Sequence, residues 1–490
     1  MDELIARALN TAQLRGAVYA DVRVVETARQ SLLVRNGAVQ GIAQTEDAGF
    51  GVRVVVDGAW GFASSHRLER TEAERVAELA VRIARSSALA KREDVDLGPP
   101  VVQRGSYRTP VEIDPFTVPL ETKLDLLLRA DGEMRRIRGV TTTEAEMVFI
   151  RERKIFASTE GSYITQEILE SGCGIEATAV RDGEVQRRSY PNSVGRHQQA
   201  RGWEFILEQD LVANAPRIAE EAVALLSADL CPDTVTTLIL GGAQVALQIH
   251  ESCGHAVELD RVFGAEAAYA GTSFLTPEKL GRFRYGSEVV NIVADATAAG
   301  GLGTFGWDDE GVPAQRVDIV REGLFVGYLT DRENARRLLR HLGPSPYVTG
   351  ASGGAARAMS WNRIPLIRMT NINLLPGAWR LEDLIADTEE GIFMDTNRSW
   401  SIDDRRLNFQ FGCEIAWEIR RGRKVRLLRN PLYTGITPEF WRSCDAVCNE
   451  DHWVLWGTPN CGKGEPGQIA RTGHGAAPAR FRNVRVFGKR

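Results

Sequence analysis

A chain of 490 residues, 43% apolar and 26% charged, has the make-up of a soluble globular protein, and its length allows two or three hydrophobic cores. Sixty basic residues against 65 acidic ones leave a net charge of −5, too weak over this length to point to nucleic acid. Seven scattered cysteines, an odd number, exclude a dense disulfide scaffold and favour reduced thiols.

The chain begins Met1, Asp2, Glu3, without a basic leader or a long apolar stretch, and no run reaches the ~18 apolar residues of a bilayer crossing. A cytoplasmic protein without a membrane span is expected. Residues 4–15 have helical spacing, and 19–27, 30–34 and 38–44 alternate as strands. Residues 49–56 lead through Asp57 and Gly58 into 60–62, an Asp-Gly hairpin. Helical spacing returns over 71–86, with Thr71 as N-cap and Glu74 three residues on. The same order then recurs: a helix over 120–137, strands over 144–150, 154–157 and 162–168, and a helix over 203–226. This predicts one N-terminal α/β domain, residues 1–230, with a weak internal duplication.

After Cys231, Pro232 and Asp233 the character of the chain changes. A strand of buried type over 235–240 precedes an apolar helix at about 243–260; the remainder is rich in glycine and strands, with short helices near 331–341 and 380–386. Residues 408–420 and 424–428 form a hairpin whose basic turn surrounds Gly422. The expected class is therefore α+β, with residues 231–490 a mainly antiparallel β domain that carries the 243–260 helix. Asp308, Asp309 and Glu310, among Gly303, Gly306 and Gly311, read as an exposed turn. His66, His197 and His341 read as surface residues.

The chemistry concentrates in His250, Glu251, Ser252, Cys253, Gly254 and His255. Two imidazoles and a carboxylate are the residue types of a zinc hydrolase, in which neutral nitrogens hold the metal and the glutamate acts as a base toward water. The spacing is unusual, because histidines five apart on a regular α-helix are separated by about 140°. One wider π turn would realign them, with Gly254 easing the distortion. A catalytic zinc needs a third protein ligand, for which Cys461, His474, His452, Cys444 and Cys448 have the right chemistry. Cys444 and Cys448 also read as a packed helical turn. Cys461 sits in a Pro-Asn-Cys-Gly-Lys-Gly turn, where glycine amides and Lys463 would lower its thiol pKa.

These residues, with 49–62 (GFGVRVVVDGAWGF), 250–260 (HESCGHAVELD), 326–332 (VGYLTDR) and 399–412 (SWSIDDRRLNFQFG), resemble the TldD/PmbA family of metallopeptidases, also called modulators of DNA gyrase. Cys461, Gly462 and Lys463 followed by Gly467 and Gln468 extend the resemblance to nearly the whole chain. It implies a TldD-like subunit with a zinc site of His250, His255 and Cys461 and with Glu251 as general base. It also implies a dimer, either of this chain or with a PmbA-like (TldE-like) subunit that lacks the metal motif. The expected activity is zinc-dependent hydrolysis of unstructured peptides or unfolded protein segments. The competing expectation is a regulatory or chaperone-like binding protein whose zinc is structural.

Overall fold

A computed structural model describes residues 1–193 and 197–489. In the strand Tyr19–Arg35, Val22, Val24, Leu32 and Val34 share a parity and therefore a face, and all four are buried under helices. The strand is a single ladder rather than two, because Ala38–Val56 pairs along its whole length on one side. On the other side it pairs with Val140–Ser158. Two meanders, over 19–65 and 140–190, thus meet edge to edge in one sheet. Asp2–Leu14 and Arg70–Ala88 cover the first, and Leu120–Arg135 and Leu211–Leu225 cover the second. This repeat of helix, meander and helix is the internal duplication.

Two details differ from the sequence expectation. The helix over 203–226 is two helices, Trp203–Glu208 and Leu211–Leu225, because Asp210 takes a left-handed conformation (φ 43°) and its carboxylate caps the second by accepting from the Ala213 amide at 3.4 Å. Thr71 is not an N-cap, since its helix already starts at Arg70.

In the C-terminal half Thr234–Leu240 pairs with Glu390–Ile402 in parallel and with Ala479–Gly488 antiparallel. Glu390–Ile402 also pairs with Asn408–Arg420, which reaches Ala479–Gly488 through Pro431–Ile436, so this mainly antiparallel sheet closes on itself. Its core includes Trp441, Tyr433 and the stacked rings of Phe440 and Phe481, 4.0 Å apart. No helix among the described residues is long and apolar enough to cross a membrane.

The two halves meet through buried charge. Lys154 Nζ lies 2.7 Å from Asp309, Arg53 lies 3.1 Å from Glu310, and Arg188 lies 2.9 Å from Glu414. Asp308, Asp309 and Glu310 are therefore not an exposed turn but 2%, 2% and 4% exposed, since the N-terminal sheet supplies cations to Asp309 and Glu310, and Asp308 accepts from the Glu310, Val312 and Ala356 amides. His197 likewise is buried, against Phe205 and Trp456, while His66 and His341 are exposed.

Candidate metal centre

The helix Gly242–Ile249 is buried from Ala243 onward, and Tyr433 ties two of its turns together. The Tyr433 hydroxyl accepts from Gln244 Nε2 at 2.8 Å and donates to Gln248 Oε1 at 2.9 Å. At His250 the helix widens into a π turn, His250–Gly254, in which the His255 amide bonds to the His250 carbonyl five residues back. The wider turn puts the two imidazoles on one face, with ring centroids 5.0 Å apart. Ser252 reinforces it by donating to the Gln248 carbonyl, while Trp441 Nε1 donates to the Ser252 hydroxyl at 2.9 Å. Gly254 itself has ordinary helical dihedrals (φ −52°, ψ −55°), so flexibility is not its contribution. Its contribution is space: a Cβ there would lie 2.3 Å from Met369 Sδ.

Cys461 comes from the far end of the chain, on the strand Val454–Lys463 rather than on a turn. The hairpin with Gln468–Ala476 shifts register between Thr458 and Cys461, at the point where the thiol is aimed. Cys461 Sγ lies 3.6 Å from His255 Nε2, and the donor atoms of His250, His255 and Cys461 lie within 4.8 Å of one another. A nitrogen and a sulfur bound to one tetrahedral zinc would be about 3.5 Å apart, so the residues present fit such an ion in both donor type and spacing. Of the other candidates His474 stands behind His250, and His452, Cys444 and Cys448 lie elsewhere. His452 accepts from the Leu381 amide, and Cys444 and Cys448 are buried in the core, Cys444 on a short strand rather than a helical turn.

Each imidazole has a partner for its second nitrogen. His255 Nδ1 lies 2.9 Å from Glu258 Oε2, and because a carboxylate only accepts, the Nε2 lone pair is left facing Cys461. His250 Nδ1 lies 2.8 Å from His474 Nε2. Burial opposes the charge on Glu258, but Lys463 at 3.5 Å and His255 outweigh it and hold its carboxyl well below the usual range. Lys463 also reaches Asp260 at 2.7 Å, so its charge is engaged by carboxylates rather than by the neighbouring thiol. For Cys461 burial works to raise the pKa, and His255 and Arg368 outweigh it, leaving the thiol below its ordinary value.

Glu251 stands in the same cleft, 2.7 Å from the Arg406 guanidinium. Burial opposes its charge, and His250, His255 and Arg406 overcome it, so its carboxyl lies below the ordinary glutamate range. The cleft, of about 390 Å³, is also lined by Leu247, Trp400 and Ile402. Asn460 lines both this cleft and a neighbouring groove of about 800 Å³ on the helix-free face of the N-terminal sheet. Sequence spacing had no means of finding Arg406 or Arg368, whereas Glu258 lies three residues after His255 within the segment 250–260 singled out for its resemblance. Only the segment 399–412, already singled out for its resemblance, contained a signal for Arg406.

Three family profiles match the chain in succession: PmbA/TldA metallopeptidase domain 1 over residues 20–84, the central domain over 113–230 and the C-terminal domain over 234–488. A metalloprotease of Methanocaldococcus jannaschii is 28% identical over 435 residues, 88% of this chain and 90% of its own. A zinc metalloprotease TldD homolog of Saccharolobus solfataricus is 21% identical over 98% of this chain and 99% of its own. Among solved structures, a candidate modulator of a DNA gyrase from Thermotoga maritima superposes with a TM-score of 0.74 at 18% identity, covering 99% of each chain. TldE from Thermococcus kodakarensis does so with a TM-score of 0.71 at 16% identity, covering 99% of this chain and 100% of its own. At these identities the two structures share the fold.

Proposed function

The chain belongs to the PmbA/TldD metallopeptidase family, and from that premise we propose that it is a zinc-dependent peptidase acting on unstructured peptides or unfolded protein segments. His250, His255 and Cys461 would hold the metal and Glu251 would be the general base. The observation that carries the reading is the convergence of these three donors within 4.8 Å in a cleft that also contains Glu251. Three protein donors and a nearby carboxylate are the composition of a catalytic site, whereas a structural zinc is closed by four ligands.

When bound, zinc supplies Lewis acidity, making water acidic near neutral pH and withdrawing electrons from a peptide carbonyl. The chain's own residues do the remaining work. Glu251 takes a proton from the attacking water and delivers it to the departing amine nitrogen. Arg406 fixes the Glu251 carboxylate in the cleft, and Leu247, Trp400 and Ile402 give the reacting bond an apolar wall. We assign the metal chemistry to residues 231–490 and the approach of substrate to residues 1–230. The groove past Asn460 suits an extended chain, and among the described residues the strand Ala38–Val56 has an unpaired edge until it pairs with Ala59–Ser65 from Phe50 onward. Backbone hydrogen bonding to such an edge selects unfolded chain with little sequence preference. The shared fold with TldE supports a TldE-like second subunit or a homodimer.

The test is to incubate the zinc-loaded chain with an unstructured peptide and analyse the products by mass spectrometry beside Glu251→Gln. Cleavage by the wild-type chain and not by the variant is expected. Equal cleavage by both would remove Glu251 from its role; cleavage by neither, with a TldE-like subunit added, would favour a non-proteolytic binding protein.

A further inference from the structure

His474 is fully buried on the strand Gln468–Ala476, and the chain on either side of it is closely packed. A Cβ on Gly473 would lie 2.1 Å from Asn371 Oδ1, and one on Gly475 would lie 1.8 Å from Trp453 Cζ2. The imidazole is thus set on a closely packed strand, with its ring centroid 4.7 Å from that of His250 and the two planes at 80°.

Its hydrogen bonds determine one tautomer. His474 Nδ1 faces the Ile372 carbonyl at 3.3 Å, and a carbonyl only accepts, so Nδ1 carries the hydrogen. In a neutral ring Nε2 is then an acceptor. The Thr472 hydroxyl is 3.1 Å from that nitrogen but has the Thr458 carbonyl at 3.3 Å for its own hydrogen. The remaining neighbour is His250 Nδ1, at 2.8 Å, which must donate. A histidine that donates from Nδ1 has its free lone pair on Nε2, the nitrogen available to a metal.

We propose that His474 is a positioning residue for the metal centre, holding His250 in the Nδ1-protonated tautomer and aiming its Nε2 lone pair at the site shared with His255 and Cys461. The proposal rests on the reading of those three residues as metal ligands. His474 is not itself a fourth ligand, because both of its nitrogens are already engaged. The two ligand histidines are supported by different chemistry. Glu258 gives His255 a charged acceptor that makes its imidazole a stronger donor, whereas His474 gives His250 a neutral acceptor that sets orientation without adding charge to the site.

The test compares two amides in the intact chain. In His474→Gln the side-chain oxygen reaches the position of Nε2 and can still accept from His250; in His474→Asn the shorter amide reaches the Ile372 side but not His250. Zinc affinity is measured by competition with a chromophoric chelator, with folding monitored by circular dichroism. We expect about a 10- to 100-fold loss of affinity for His474→Asn and recovery of most of it in His474→Gln. At saturating cobalt both variants should retain the wild-type thiolate charge-transfer and tetrahedral bands. Wild-type affinity in a folded His474→Asn would overturn the proposal, and so would altered cobalt bands, which would make His474 a ligand. A readout free of mutation is the long-range proton–nitrogen correlation of histidine-labelled, zinc-loaded protein, where His250 and His474 should both be protonated at Nδ1; a proton on His474 Nε2 would refute the assignment. If the wild-type chain binds no more zinc than Cys461→Ala, the metal-centre reading fails, and this inference with it.

Discussion

The Glu251 carboxylate and the Arg406 guanidinium, 155 residues apart in the chain, meet at 2.7 Å in the cleft of the candidate metal centre. Arg406 is delivered there by its backbone. It has φ +64° in a turn where Asp403 accepts from the amides of Arg405, Leu407 and Asn408 at 3.1, 2.8 and 3.0 Å. On the proposed mechanism the pair places the base before substrate arrives. Arg406→Gln should lower kcat by about 10- to 100-fold, the usual cost of a misplaced catalytic group, with zinc affinity unchanged. Arg406→Lys should recover part of the loss. Steady-state peptide kinetics beside zinc competition will check both; an unchanged kcat would separate Arg406 from the base.

Because the thiol of Cys461 and the helix residues His250 and His255 come from opposite ends of the C-terminal half, metal binding should hold that half together. At a free zinc concentration one hundred times Kd, a ligand bound only by the folded chain stabilises it by about 2.7 kcal/mol. Thermal melting with zinc and with chelator should show this shift for the wild-type chain and only a small one for Cys461→Ala. Equal shifts would mean that zinc stabilises the chain elsewhere.

The π turn depends on the space at Gly254. Gly254→Ala drives a methyl group to 2.3 Å from Met369 Sδ, and overpacking of this kind costs about 1–3 kcal/mol. Urea denaturation should show that loss, and the same substitution in a Met369→Ala background should cost less. An equal cost in both backgrounds would place the strain somewhere other than this contact.

A pH dependence is expected at Glu146, which lines the groove beside the metal cleft. Burial, with Glu144 and Glu176 nearby, pushes its carboxyl up from 4.5 to about 7, and Arg29 offsets only part of this. The folded chain therefore binds this proton more tightly than the unfolded chain. Its contribution to stability is complete below about 4.5 and is lost as the pH rises through about 7. Glu146→Gln should be more stable than wild type at pH 8, and the difference between the two should shrink toward pH 5. A difference that stays constant over this range would rule out the raised pKa.

Much of the candidate site was legible from local pattern. His250, Glu251 and His255 lie within six residues, and their five-residue spacing already demanded the π turn that the helix contains. The Asp-Gly hairpin, the paired strands over 408–428 and the repeated helix–meander–helix order were likewise local signals. Where pattern misled, the missing information was the partner. Asp308, Asp309 and Glu310 looked exposed because nothing near them in sequence announces Lys154, Arg53 and Arg23.

The amino-acid sequence by itself determined the ingredients of the chemistry: two imidazoles and a carboxylate on one apolar helix, a distant cysteine of suitable type, and an α+β order of elements. Spacing along a helix is a local property, set by the number of residues per turn, and so it can be read from the chain. Only the tertiary structure decided which of five candidate donors lies with both His250 and His255, that Arg406 pairs with Glu251, and that His474 stands behind His250. Those contacts are made by closure of the C-terminal sheet and by the register of the hairpin carrying Cys461 and His474, where side chains 155 to 224 residues apart meet through pairing geometry that no local periodicity encodes.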